Sequence, residues 1–252
     1  MSSDCSRGVY FEVHGHGSPL MLAFPITASP RPNDPACTTL RGYLDLLTDR
    51  YSVLVMDYPN LEPDTGRSKA IPAGELTAER VCCDLLAVAD AAGFEQFAWW
   101  GFSWGGVIGL QLASRSDRVA ALVCGGWPPL GGPYAELLRA VRAVAVAAAE
   151  PPPDFSLPAD QFVAFYESMQ EWHEADAIGR IQCPRMAFVG SEDEVETGGV
   201  RLRLAATVRE HRSKLEKQGW EVVEITGRDH SVYADPATVV PVVRSFLDKV
   251  CG

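Results

Sequence analysis

The chain has 252 residues, 47% hydrophobic and 22% charged, a composition that excludes a disordered or collagen-like polypeptide. Its 22 Lys and Arg stand against 33 Asp and Glu, and a formal charge of -11 repels phosphate backbones and anionic bilayers, which argues against nucleic acid as a partner. The length suits one or two domains with a core of useful size.

From the N-terminus, Met1 to Arg7 has neither a basic start nor an apolar run behind it, so no secretory leader is expected. Val9 to Val13 alternates as a strand. His14 to Pro19 is dense in turn formers, which places His14 and His16 in solvent, and Leu20 to Phe24 is a continuous apolar strand. A helix follows with Thr38 or Thr39 as its cap and Leu40, Tyr43, Leu44 and Leu47 on one face. Tyr51 to Met56 is a buried strand ending at Asp57, and the proline-rich stretch from Tyr58 to Gly74 is a long loop. Helical spacing runs from Leu76 to Gly93. Strand Gln96 to Trp100, helix Trp104 to Arg115 and strand Val119 to Cys124 come next.

The alternation then stops at Trp127 and resumes at Arg185. Between them lie an Ala-rich helix, Tyr134 to Ala149, the prolines 151 to 153, and a second helix, Gln161 to Trp172. Residues 128–183 therefore read as a helical insertion in a core formed by 1–127 and 184–252. The core closes with strand Met186 to Val189, a charged helix from Val200 to Gln218 that carries a solvent-facing His211, strand Trp220 to Ile225, and a final helix, Pro236 to Val250. Strands alternating with helices predict a mostly parallel sheet covered on both faces, with ligands beyond the carboxyl ends of its strands. The longest apolar stretch, Phe97 to Ala113, is broken by four glycines, a serine and a glutamine, so no membrane span is expected. The seven cysteines are odd in number and lack metal-ligand spacing, which points to free thiols in a reducing, cytoplasmic setting and to no metal site.

One motif carries chemistry. Gly101-Phe102-Ser103-Trp104-Gly105 is a G-x-S-x-G pattern at a strand-to-helix turn, where a serine projects above the sheet and the helix start favours an anion. A serine hydroxyl needs a base. Of the five histidines, His230 lies in the loop after the last strand, at the same sheet edge as Ser103, whereas His173 belongs to the insertion. The histidine in turn needs a carboxylate, and Asp193, in the acidic loop Gly190 to Glu196 after its strand, has the short side chain that suits a fixed geometry. Glu192, Glu194 and Glu196 read as surface charges.

The chain order Ser103, Asp193, His230, with all three at strand ends, resembles the α/β-hydrolase family over essentially the whole chain. The resemblance implies an α/β-hydrolase fold, a mostly parallel central sheet with helices on both faces and a small helical cap formed by the insertion. It implies a serine hydrolase without cofactor or metal, acting on a small-molecule substrate through an acyl-enzyme. The N–H of Trp104 is one expected oxyanion donor. The other follows the strand Leu20 to Phe24: a count from Pro19 gives Ile26, and a shifted alignment gives Phe24. Where the family usually has His-Gly, this chain has Phe24-Pro25, and His16-Gly17 precedes the strand and does not substitute for it. Trp127, Phe165 and Trp172 are expected to line the pocket, with Phe155, Phe162, Tyr166 and Met169 as further aromatic and apolar cap residues. A small or medium apolar carboxylic ester is the expected substrate. Lactone, thioester or carbon–carbon bond hydrolysis on the same triad, and a ligand-binding protein with little turnover, stand as alternatives, and the oligomeric state is open.

Overall fold

A computed structural model describes residues 2–6, 9–23, 37–57, 75–147 and 159–251. Ten strands and eight helices occur in them: β1 (Ser2–Ser6), β2 (Val9–Gly15), β3 (Ser18–Ala23), α1 (Cys37–Leu47), β4 (Tyr51–Met56), α2 (Ala78–Ala91), β5 (Phe97–Phe102), α3 (Trp104–Arg115), β6 (Val119–Gly125), α4 (Tyr134–Ala147), α5 (Ala159–Glu167), α6 (Glu174–Arg180), β7 (Arg185–Gly190), β8 (Val195–Thr197), β9 (Val200–Leu202), α7 (Leu204–Lys217), β10 (Trp220–Ile225) and α8 (Pro236–Val250). Eight strands form one sheet in the order β1-β2-β4-β3-β5-β6-β7-β10, parallel from β4 onward and antiparallel at β1 and β2.

Side-chain alternation along β5 explains the layering. Phe97 and Trp99 join one apolar cluster with α2, α3 and α7, while Ala98, Trp100 and Phe102 join a second with α1 and α8. Trp99 is fully buried beneath α3, and its indole N–H donates to Gly105 O at 3.0 Å, so the one polar atom of a large ring is satisfied. Burying a side chain of this size contributes more than about 2 kcal/mol, and both faces are lined with such groups.

Between β6 and β7 the chain leaves the sheet and forms α4, α5 and α6, whose apolar residues Leu138, Phe162, Phe165, Tyr166, Met169 and Ile178 belong to the α2–α3 cluster. Among the described residues these helices have no separate core.

Several local expectations are corrected. The segment assigned as helix from Val200 begins with a hairpin, because Gly198 and Gly199 adopt φ of 53° and 72° and close a tight turn between β8 and β9 before α7 starts at Leu204. Thr38 and Thr39 lie inside α1, not at its cap. His14 is the penultimate residue of β2 and its Nε2 is 2.8 Å from Glu12 Oε2, so it is half-buried and not solvated. His211 is half-buried on α7, its Nδ1–H donating to Thr207 O at 3.0 Å. Strand β1 and helix α6 were not anticipated: a polar five-residue edge strand shows no alternation, and a seven-residue helix is too short to show a period. The loop from Tyr58 to Gly74 lies outside the described residues.

Candidate active site

The turn between β5 and α3 brings a strand directly into a helix, and only a residue with φ above zero can make it. Ser103 does so, with φ 54° and ψ -117°, the one non-glycine residue of positive φ among the described residues. Such a conformation costs on the order of 1–3 kcal/mol and persists where surrounding bonds fix it. Here the Ser103 N–H donates to Gly125 O at 2.8 Å, and the Ser103 carbonyl accepts from Gly106 N at 2.9 Å and Val107 N at 3.1 Å. The flanking glycines allow close approach. A Cβ on Gly101 would stand 2.0 Å from Gly105 O, and one on Gly105 2.6 Å from Ala23 O.

A serine preceding a helix ordinarily caps it with its side chain. Ser103 makes no such bond, and its Oγ instead lies 3.1 Å from His230 Nε2. His230 opens a short 3₁₀ turn, His230–Ala234, after β10. Asp229 fixes that turn by accepting from the Ser231 N–H and hydroxyl, and these bonds hold its carboxyl below the usual carboxylate range. The His230 ring packs on Phe102 with centroids 5.0 Å apart.

The other imidazole nitrogen, Nδ1, is 2.9 Å from Asp193 Oδ1. Asp193 is fully buried after β7, its N–H donating to Gly190 O and its carbonyl accepting from Ala205 N. Its Oδ2 has no hydrogen-bond partner among the described residues, which leaves His230 as the group that offsets the buried carboxylate. The Asp193 and His230 loops are stitched together: Ser191 N donates to Ile225 O, Glu192 N to Arg228 O, and Gly227 N to Ser191 Oγ. Ser103, His230 and Asp193, 37 to 127 residues apart in sequence, thus form one hydrogen-bonded line. That line can activate a hydroxyl: the carboxylate holds the proton on Nδ1, and Nε2 faces the hydroxyl as an acceptor.

The arrangement belongs to a known group of proteins. The sequence profile described as the alpha/beta hydrolase family matches residues 13–242. The chain belongs to this family. Among curated proteins, this alpha/beta hydrolase is 29% identical over 126 residues to RutD of Azorhizobium caulinodans, a protein named for carbamate hydrolysis, and 36% identical over 70 residues to RutD of Pseudomonas syringae. These matches take in 49% and 28% of the chain and only 43% and 26% of the two relatives. Solved structures agree along the full length. An enol-lactonase from Burkholderia xenovorans superposes with a TM-score of 0.71 at 19% identity, over 98% of this chain and all of that one. A thermophilic esterase from Thermogutta terrifontis gives 0.72 at 20% identity, over 100% and 99%.

The remaining expected residues fall as follows. Trp104 is the first residue of α3, so its N–H belongs to the helix turn whose donors lack intrahelical acceptors. Ile26, Phe24 and Phe155 lie outside the described residues. Trp127 is almost wholly buried two residues beyond Gly125. Phe165 is fully buried, held edge-on against both Trp104 and Tyr166, so it meets neighbouring rings and not open space. Trp172 is half-buried and stands perpendicular to Tyr134, centroids 5.5 Å apart. Glu192, Glu194 and Glu196 are exposed, and the last two pair with Arg201 and Arg203. Among the described residues no group of three His, Cys, Asp or Glu could hold a metal ion, and no helix is long and apolar enough to cross a membrane.

Sequence reasoning missed two things. One is the contact of Trp104 with Phe162 and Phe165, centroids 5.0 and 5.1 Å away. The other is Glu174, whose carboxylate accepts from Gly131 N at 2.6 Å and Gly132 N at 3.0 Å. The Gly131-Gly132 turn was visible in the sequence, but nothing there marked its partner 42 residues on.

Proposed function

We propose that the protein is a serine hydrolase that cleaves a small or medium apolar carboxylic ester. The observation that carries this reading is the line from Ser103 Oγ through His230 to buried Asp193, at 3.1 and 2.9 Å. Ser103 Oγ attacks the ester carbonyl while its proton passes to His230 Nε2, and Asp193 stabilises the imidazolium that forms. The Trp104 N–H, at the positive end of α3, donates to the tetrahedral oxyanion together with an N–H from the segment after β3, Ile26 or Phe24. His230 then protonates the leaving alcohol, and water activated by the same histidine releases the acid. No cofactor enters this scheme.

Residues 128–183 act as a cap over the nucleophile, with α5 seated on Trp104 and the Trp127–Tyr134–Trp172 rings as an aromatic wall. Aromatic neighbours on this side favour apolar acyl or alcohol groups. The matches to proteins named for carbamate hydrolysis add a second carbonyl class that the same attack would serve.

The test is steady-state hydrolysis of nitrophenyl esters of increasing acyl length, beside a nitrophenyl carbamate, with Ser103→Ala in parallel. Ester turnover abolished by the substitution supports the proposal. A folded wild-type enzyme that turns over none of the esters refutes it and moves the assignment to lactone, thioester or carbon–carbon substrates, or to ligand binding.

A further inference from the structure

Outside the triad, one ionisable group inside the inserted helices has no role in the scheme above. Glu174 opens α6, and both its oxygens are occupied by backbone donors, Oε2 by Gly131 N and Oε1 by Gly132 N. Gly132 ties this carboxylate to Tyr134, its carbonyl accepting from Tyr134 N at 2.8 Å. Tyr134 in turn accepts from the Trp127 indole N–H at 3.2 Å, with the two rings 5.3 Å apart. Trp127 reaches the core. A Cβ on Gly106 would lie 3.3 Å from Trp127 Cβ, and the Cys124 thiol faces Trp127 O at 3.5 Å. Gly106 belongs to the turn that starts at Trp104 and returns its N–H to Ser103 O.

We propose that Glu174 is a positioning residue that acts through Tyr134 and Trp127 on the first turn of α3, and so on Ser103 and the Trp104 amide. The inference rests on the serine-hydrolase reading.

Three features support it. The contacts run without a gap: Gly132 binds Glu174 Oε1 through its N–H and Tyr134 N through its carbonyl, the Tyr134 hydroxyl accepts from the Trp127 indole, and Trp127 packs beside Gly106. A half-buried carboxylate is an expensive way to hold a turn: burial pushes Glu174 above the usual carboxylate range against the pull of the two N–H groups, the Tyr134 hydroxyl and His211. A neutral amide offers one acceptor for the two N–H groups, so a carboxylate is what closes this turn with both donors paired. Finally, the surroundings lock it. The His211 ring of α7 lies so close to Gly131 that a Cβ there would stand 2.5 Å from its Cε1, and Gly131 itself needs φ of 74°. Glu174 therefore cannot follow a loop movement without leaving both donors unpaired.

The experiment compares Glu174→Gln, Tyr134→Phe and the variant that combines them, with Glu174→Ala beside them, with kcat normalised to titrated active sites on a nitrophenyl ester and with amide exchange measured at Gly131 and Gly132. A displacement approaching 1 Å at a reacting group costs up to about a hundredfold, so each single variant is expected to lose about tenfold in kcat with KM little changed. The double variant is expected to be no worse than the weaker single one, because both cut the same chain. Glu174→Gln, which keeps one acceptor, is expected to retain more activity than Glu174→Ala, and Gly131 and Gly132 are expected to lose exchange protection in both. Unchanged kcat per active site with a lower Tm, or losses that add in the double variant, overturns the proposal. If wild type turns over no ester, that reading fails by itself, and phosphonylation by a fluorophosphonate replaces it: Ser103 Oγ displaces fluoride while His230 takes the hydroxyl proton. A drop of about tenfold in that rate in both single variants then supports the positioning role, and an unchanged rate, or no labelling of Ser103 at all, overturns it.

Discussion

Asp193→Asn isolates one charge in a site whose shape it leaves nearly intact. Asp193 has no exposed surface, and its Oδ1 is 2.9 Å from His230 Nδ1. In the proposed mechanism His230 becomes an imidazolium as Ser103 attacks, and with about 4 Å between charge centres and an effective dielectric constant of about 20 the carboxylate would stabilise it by about 4 kcal/mol. That energy alone is a factor of about a thousand in rate. Asparagine adds a second fault, since its amide NH₂ favours the wrong imidazole tautomer, so the expected loss in kcat lies between about a thousand- and ten-thousandfold. Stability should move the other way. Asp193 Oδ2 has no partner among the described residues, and replacing a buried carboxylate by a neutral amide removes a desolvation cost. Nitrophenyl ester kinetics and a thermal melt on the same preparations are the assay: activity should collapse while Tm holds or rises. Activity within about tenfold of wild type would refute the electrostatic reasoning, and a lost fold would refute the claim that this carboxylate is held at a cost.

Other substitutions test other parts of the construction. Gly105→Ala forces a Cβ to within 2.6 Å of the Ala23 carbonyl, and at about 1–3 kcal/mol for overpacking Tm is expected to fall by roughly 2–10 °C in a thermal melt. Phe165→Ala empties a fully buried site beside Trp104, and denaturant unfolding is expected to show a loss of about 3–5 kcal/mol. Asp235 caps α8, accepting from Thr238 N, so Asp235→Ala is expected to cost about 1 kcal/mol at neutral pH. The Thr238 hydroxyl and N–H, with Arg228, hold this carboxyl below its usual value, so the stabilisation is complete above the ordinary carboxylate range. The gap between wild type and variant in pH-dependent melts should close as pH falls through the lowered folded value. Thiol reagents are expected to modify exposed Cys83 in the native protein and to reach Cys82 and Cys124 only on unfolding, because burial pushes the Cys82 thiol up to about 12 and Cys124 higher still; mass spectrometry of labelled peptides reads the order.

What the sequence revealed follows from where information is local. The elbow was readable because a strand, a serine and two flanking glycines sit within nine residues, Phe97 to Gly105. The order of serine, acid and histidine was readable because each falls at a strand end. Apolar runs located the sheet strands from β2 onward to within about two residues, since buried parallel strands are nearly continuous in Val, Leu, Ile and aromatic residues. The β8–β9 hairpin carried a signal that was passed over: the Gly198-Gly199 pair between two short β-type runs demands a tight turn. Strand β1 had none, because Ser2 to Ser6 is held by pairing with β2 and not by burial pattern. His14 shows the limit of reading turn formers: the strand continues through His14, and Glu12, two residues back on the same face, takes up the imidazole. The inserted helices were located, but not what they grip, since Trp104 to Phe165 and Gly131 to Glu174 are meetings of distant segments on which no local period bears.

The bonds that stitch the loops after β7 and β10 have a consequence for how the site responds to its surroundings. Asp193 and His230 ride on bonded loops after neighbouring strands, whereas Ser103 follows β5, with β6 between it and that pair. A substitution along β5 or β6 that changes the coiling of the sheet is therefore expected to alter the Ser103 to His230 gap more than the Asp193 to His230 spacing. In the proposed mechanism that gap is the distance across which the proton travels.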